Sequence, residues 1–128
     1  MAIEIIRDED KDLTMHVVAD MVSEKEMYEV LENFYSRGPT TLLLWDMSQA
    51  QVSHVTASIL EAFVRRAVYL CSHQCKAGRT AVFAPHDLQF GLGRMSEIFH
   101  DVKSASFEFR VFRSRQHALE WLMADYSS

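Results

Sequence analysis

The chain has 128 residues, 48% of them hydrophobic and 24% charged, with a formal net charge of −5. That length fits one domain with a core of ordinary size and needs no staples. The composition speaks against both a disordered chain and a membrane-spanning one. The thirteen Lys and Arg residues are scattered and outnumbered by acids, so no nucleic-acid partner is expected.

Ile3, Ile5 and Ile6 predict a first strand and Leu13, Met15, Val17 and Val18 a second, joined as a hairpin by an acidic turn. That turn, Asp8-Glu9-Asp10-Lys11-Asp12, imitates the start of a calcium loop. Leu13 stands at the glycine position and Ala19 at the twelfth, so no calcium site is expected. Ser23-Glu24-Lys25-Glu26 is a capping box, with Val22 placed to staple onto Met27. The stripe Met27, Val30, Leu31 and Phe34 has helical spacing, and Gly38-Pro39 closes the helix after Arg37.

The apolar run Thr41 to Trp45 predicts a buried strand halting at Asp46-Met47-Ser48, where open α/β sheets place functional loops. A helix follows from about Ser53 to His73. Its apolar residues cover an arc of roughly two hundred degrees, about twice an ordinary core-facing stripe. The surplus requires a neighbouring helix, a second subunit, a membrane surface or an apolar ligand. Glu61, Arg65 and Arg66 interrupt the segment, which therefore does not read as a membrane span.

Arg79 to Ala84 predicts a strand stopped by Pro85, and a third helix spans about Asp87 to Asp101, with Asp87 as its expected cap. Leu88, Leu92, Met95, Phe99 and Val102 form its core-facing stripe, with Phe90 on the opposite, polar side as a candidate anchor. Phe107 to Phe112 alternates as a last strand, and Ser114 caps a final helix carrying Ala118, Leu119, Leu122 and Met123. The order β-β-α-β-α-β-α-β-α implies a mixed, largely parallel five-stranded sheet with four helices, the first strand antiparallel at one side.

No chemical motif is complete. Gly91-Leu92-Gly93 lacks the third glycine of a dinucleotide fingerprint and falls inside a helix. Cys71 and Cys75 have no second ligand pair, so neither a metal nor another cofactor is expected and both are expected as thiols. His86-Asp87 is the pair nearest a catalytic one, yet no nucleophile elbow or zincin motif accompanies it. The chain reads as a non-enzymatic binding or switch domain. It shows no signal-peptide pattern after Met1, and a cytoplasmic location is the expectation.

Asp46-Met47-Ser48, the segment Ala84 to Met95, Phe109 to Ser114 and Ala118 to Leu122 resemble the SpoIIAA-like family, related to the STAS domain. The resemblance covers nearly the whole chain. It implies a single SpoIIAA-like domain over residues 1–128, an α/β superhelical fold, a non-enzymatic role and, in some branches, kinship with CRAL-TRIO lipid-transfer domains. In anti-sigma antagonists an Asp-x-Ser strand end precedes Asp-Ser-Ser-Gly, whose serine is phosphorylated. Here Asp46 and Ser48 match the first element, but His54-Val55-Thr56-Ala57 replaces the second.

Two functions follow as expectations. The first is a pocket for a lipid or other hydrophobic small molecule, with peripheral membrane contact or a homodimer as alternative uses of the same surface. Its residues would be Met47, Val55, Ile59 and Phe63 with Leu88, Phe90, Leu92 and Met95. The second is docking of a protein partner at a loop regulated through Asp46, Ser48, Ser53 and Thr56, where phosphate on Ser53 or Thr56 would meet a helix N-terminus.

Overall fold

The structure is a computed structural model that describes residues 3–74, 78–102 and 107–124. Its elements are β1 (Ile3–Asp8), β2 (Leu13–Asp20), α1 (Glu24–Ser36), β3 (Leu42–Ala50), α2 (Ala57–Gln74), β4 (Arg79–Phe83), α3 (Asp87–Val102), β5 (Glu108–Phe112) and α4 (Arg115–Met123). The sheet order is β1-β2-β3-β4-β5, with β1 antiparallel to β2 and every other pair parallel. This is the mixed α/β architecture the sequence predicts.

Spatial order equals chain order, so the right-handed crossovers all step the same way and carry α1, α2 and α3 to one face. α4 follows the last strand and packs on β3, β4 and β5 from the other side. Strand alternation divides the core accordingly. Leu43 and Trp45 join Val30, Leu31 and Phe34 in one cluster, while Leu42, Leu44 and Ala81 join Ala118 and Leu122 in a second.

The predicted punctuation is present. Ser23 Oγ accepts from the Glu26 amide at 3.2 Å, and Glu26 Oε1 accepts from the Ser23 amide at 3.4 Å. Gly38 adopts the left-handed conformation (φ +79°) that ends α1. Ser114 Oγ caps α4 through the His117 amide at 3.2 Å.

Several boundaries differ, each for a tertiary reason. β3 does not halt at Asp46: β4 ends opposite it, but β2 continues past a register shift, pairing Ala19 with Gln49 and Asp20 with Ala50. α2 begins at Ala57 rather than near Ser53, because a turn closed by the Val55 amide on the Val52 carbonyl (3.0 Å) comes first. At α3, the His86 carbonyl accepts from the Phe90 amide at 2.8 Å, which makes His86 the cap residue and Asp87 the first helical one.

The largest difference is the roll of α3. Its inward face is Gln89, Gly93, Ser96 and His100, whereas Leu88 and Ile98 are 55% and 61% exposed. Gly93 permits this. A Cβ there would strike the Val111 side chain, so the helix backbone rests directly on β5. Glu97 Oε2 then accepts the amide of Val111 on this edge strand at 2.7 Å, and His100 Nε2 engages the Phe107 carbonyl. Cys71 is disulfide-bonded rather than the free thiol expected, and Cys75 lies outside the described residues.

Candidate functional site

α2 is the middle helix of three and packs on α1 and α3. Between it and the sheet lies a cavity of about 140 Å³. The floor is the inward-pointing set Leu43, Trp45 and Met47 on β3, Val82 on β4 and Phe109 on β5, alternate residues sharing one face. Ile59, Phe63 and Ala67 of α2 form the roof, Met27, Tyr28 and Leu31 of α1 one side, and Leu92 with Gln89 and Ser96 of α3 the other. Phe63 stands edge-on to Trp45 (centroids 5.9 Å apart) and to Tyr28 (5.5 Å), which fixes the aromatic part of the wall.

The wide apolar arc of α2 is thus divided between two neighbouring helices and a void. A dry apolar cavity of about 150 Å³ is enough to take up benzene. This one is of that size. Its wall contains no Lys or Arg, and its one carboxylate, Glu24, is exposed.

Few polar groups interrupt the wall. The Gln89 side chain, 7% exposed, donates through Nε2 to the Ala50 carbonyl at 2.8 Å, leaving Oε1 without a partner among the described residues. His54 holds Nε2 3.0 Å from the Val22 carbonyl, and its buried Nδ1 likewise has no partner among them. Ser96 Oγ is engaged with the Leu92 carbonyl at 3.0 Å. Burial pushes the Tyr35 phenol well above its ordinary pKa, so it stays neutral.

Of the residues the sequence nominates, Met47, Val55, Ile59, Phe63 and Leu92 line this cavity. Leu88, Phe90 and Met95 do not. Leu88 points to solvent, Met95 is half-buried outside the wall, and Phe90 lies beneath Arg113, whose guanidinium is 4.2 Å from the ring centre. The roll of α3 separates them from the cavity. Sequence reasoning missed Gln89, Ser96, His54 and Trp45. The available signal was Gln89-x-x-x-Gly93-x-x-Ser96, a polar and small-residue stripe at helical spacing.

The regulatory candidates are placed separately. Asp46 Oδ1 accepts from the Ser48 amide at 3.0 Å and from its hydroxyl at 2.7 Å, while Oδ2 lies 4.0 Å from Arg115 Nε. These bonds lie within β3, at the register shift where its pairing with β2 slips between Asp46 and Gln49. Ser53 and Thr56 are exposed, but only Thr56 stands at the start of α2, where its Oγ1 accepts from the Ile59 amide at 3.2 Å. The strand order never reverses, so the sheet has no switch-point crevice beside Asp46.

An uncharacterised protein of the DUF3478 family from Shewanella loihica PV-4, described as having a SpoIIAA-like fold, is similar to this chain with a TM-score of 0.57 and 20% sequence identity. The likeness covers 94% of this chain and 92% of that one. The chain has a SpoIIAA-like fold. No family model and no curated protein matches the sequence. In this SpoIIAA-like chain the described residues contain no helix long and apolar enough to cross a membrane, and no cluster of three potential metal ligands.

Proposed function

We propose that this SpoIIAA-like domain is a binding module that takes a small hydrophobic molecule between α2 and the sheet. The observation that carries the reading is the cavity itself, about 140 Å³ walled by apolar side chains from three helices and three strands. An apolar guest would give those side chains the dispersion contacts they lack across the void and would leave water, at roughly 25 cal/mol per Å² buried. That volume suits one aromatic ring or the end of an alkyl chain, and because the cavity opens to solvent the rest of a longer molecule would project from it.

The test is an amide-resolved NMR titration with toluene. Saturable shifts clustered at Trp45, Phe63 and Leu92 are expected, and Ala67→Phe, which fills the cavity from its roof, should abolish them. Absence of saturable shifts up to the solubility of toluene overturns the reading.

One observation favours a second use of the same helix. Thr56 is exposed at the N-terminus of α2, where a phosphate would meet the positive end of the helix dipole and the first-turn amides. A Thr56→Glu variant should then alter capture of a protein partner, whereas Ser53→Glu, placed before the helix, should not. Identical capture by both variants and the unmodified chain excludes control at Thr56.

A further inference from the structure

One face of α1 lines the cavity along the length of the helix. Glu24, Tyr28, Leu31 and Tyr35 recur at helical spacing, and all four belong to the wall. Exposure falls along that stripe, because Glu24 is exposed and Tyr28 half-buried whereas Leu31 and Tyr35 are 1% and 4% exposed. The first turn of α1 therefore marks the mouth of the cavity. The half-buried Val55 and Ile59, just before and within the first turn of α2, complete its rim. A carboxylate stands at this mouth, and apolar side chains lie behind it.

Charge at the mouth is unbalanced. The Tyr28 phenol has its pKa raised by burial and by the charge of Glu24, against the opposing pull of Arg65 and Arg66. Those two guanidiniums already have carboxylate partners: Arg65 Nη1 lies 3.3 Å from Glu61 Oε1, and Arg66 Nε donates to Glu32 Oε1 at 2.8 Å. Glu24 has no ion-pair partner among the described residues. The net charge of −5 adds to the same field. We propose that the cavity takes single-chain organic cations, with an alkyl or one-ring apolar tail seated among Tyr28, Leu31 and Phe63 and a protonated amine held at the mouth by Glu24. The ammonium keeps its water there, so no charge has to be buried. This rests on the reading that the cavity is a ligand site and specifies the head group that the site takes.

The experiment compares hexylamine, hexanol and hexanoate, three heads on one tail, by the same NMR titration near neutral pH and at low salt. Exposed ion pairs are individually weak, so hexylamine should bind about fivefold more tightly than hexanoate, with hexanol between them. In Glu24→Gln the preference for the amine should fall to within about twofold, while hexanol, which reports on the tail site and on folding, is unchanged. Raising NaCl from about 10 mM to about 1 M should have the same effect on the native chain, because the screening length shrinks from roughly 30 Å to 3 Å. Equal affinity for the amine and the carboxylate, or an amine preference that survives both Glu24→Gln and high salt, overturns the assignment of the head group even when hexanol binds. Absence of saturable shifts with all three probes overturns the ligand-site reading itself. The salt arm needs no variant, so a Glu24→Gln chain that does not fold leaves the test intact.

Discussion

His16 shows how a polar residue becomes part of an aromatic core. It is 1% exposed, with its ring centre 4.4 Å from that of Trp45 and 5.7 Å from that of Phe34, and burial lowers its pKa from 6.5 to about 4. The folded state therefore holds the neutral ring, while the unfolded chain takes up a proton once the pH drops below about 6.5. Between about 6.5 and 4 the unfolded state binds more protons, so stability declines as pH falls through that window. The contribution totals about 3 kcal/mol, to order of magnitude. Urea unfolding at several pH values should show this component in the native chain and its loss in His16→Phe. Gly93 makes an equally local prediction. Its Cβ position lies 2.9 Å from Val111 Cβ, so Gly93→Ala should destabilise by about 1–3 kcal/mol despite the better helix propensity of alanine. A denaturant midpoint equal to or above that of the native chain would contradict the close approach of α3 to β5.

At the scale of elements, the capping box was legible because it depends on residues three apart and on nothing beyond them. Removing it by Ser23→Ala should cost about 1 kcal/mol, measured by chemical unfolding. The two long helices were legible in position but not in orientation. For α2, periodicity reported the width of the apolar arc from Val55 to Cys71, yet the same arc is compatible with helices, a void or a second subunit as its cover. For α3, the apolar count favoured the Leu88–Leu92–Met95 stripe as the core face. Burial follows Gln89, Gly93, Ser96 and His100 instead, because the close approach at Gly93, the Val111 amide donating to Glu97 and the bond between His100 and the Phe107 carbonyl outweigh the exposure of Leu88 and Ile98. That roll is also why Gln89 reaches the cavity wall.

For the whole molecule, stepwise crossovers put three helices on one face, and the middle one spans a gap that its neighbours hold open. A ligand that binds only the folded state raises stability by RT ln(1 + [L]/Kd), about 2.7 kcal/mol at a hundredfold excess over Kd. Calorimetry with toluene at that excess should raise Tm by on the order of 8 °C, and Ala67→Phe should eliminate the rise. An unchanged Tm in the native chain would contradict binding to the folded state.

From the sequence alone came the number and order of elements, the antiparallel first strand, the caps and five of the residues around the cavity. These rest on periodicity and on hydrogen bonds within a single turn, which short stretches of chain specify by themselves. Only the tertiary structure decided that β3 outruns Asp46, which side of α3 faces inward, and that an apolar cavity remains beneath α2. Those outcomes depend on how closely backbones approach and on the summed volume of side chains from six elements, quantities that no local pattern contains.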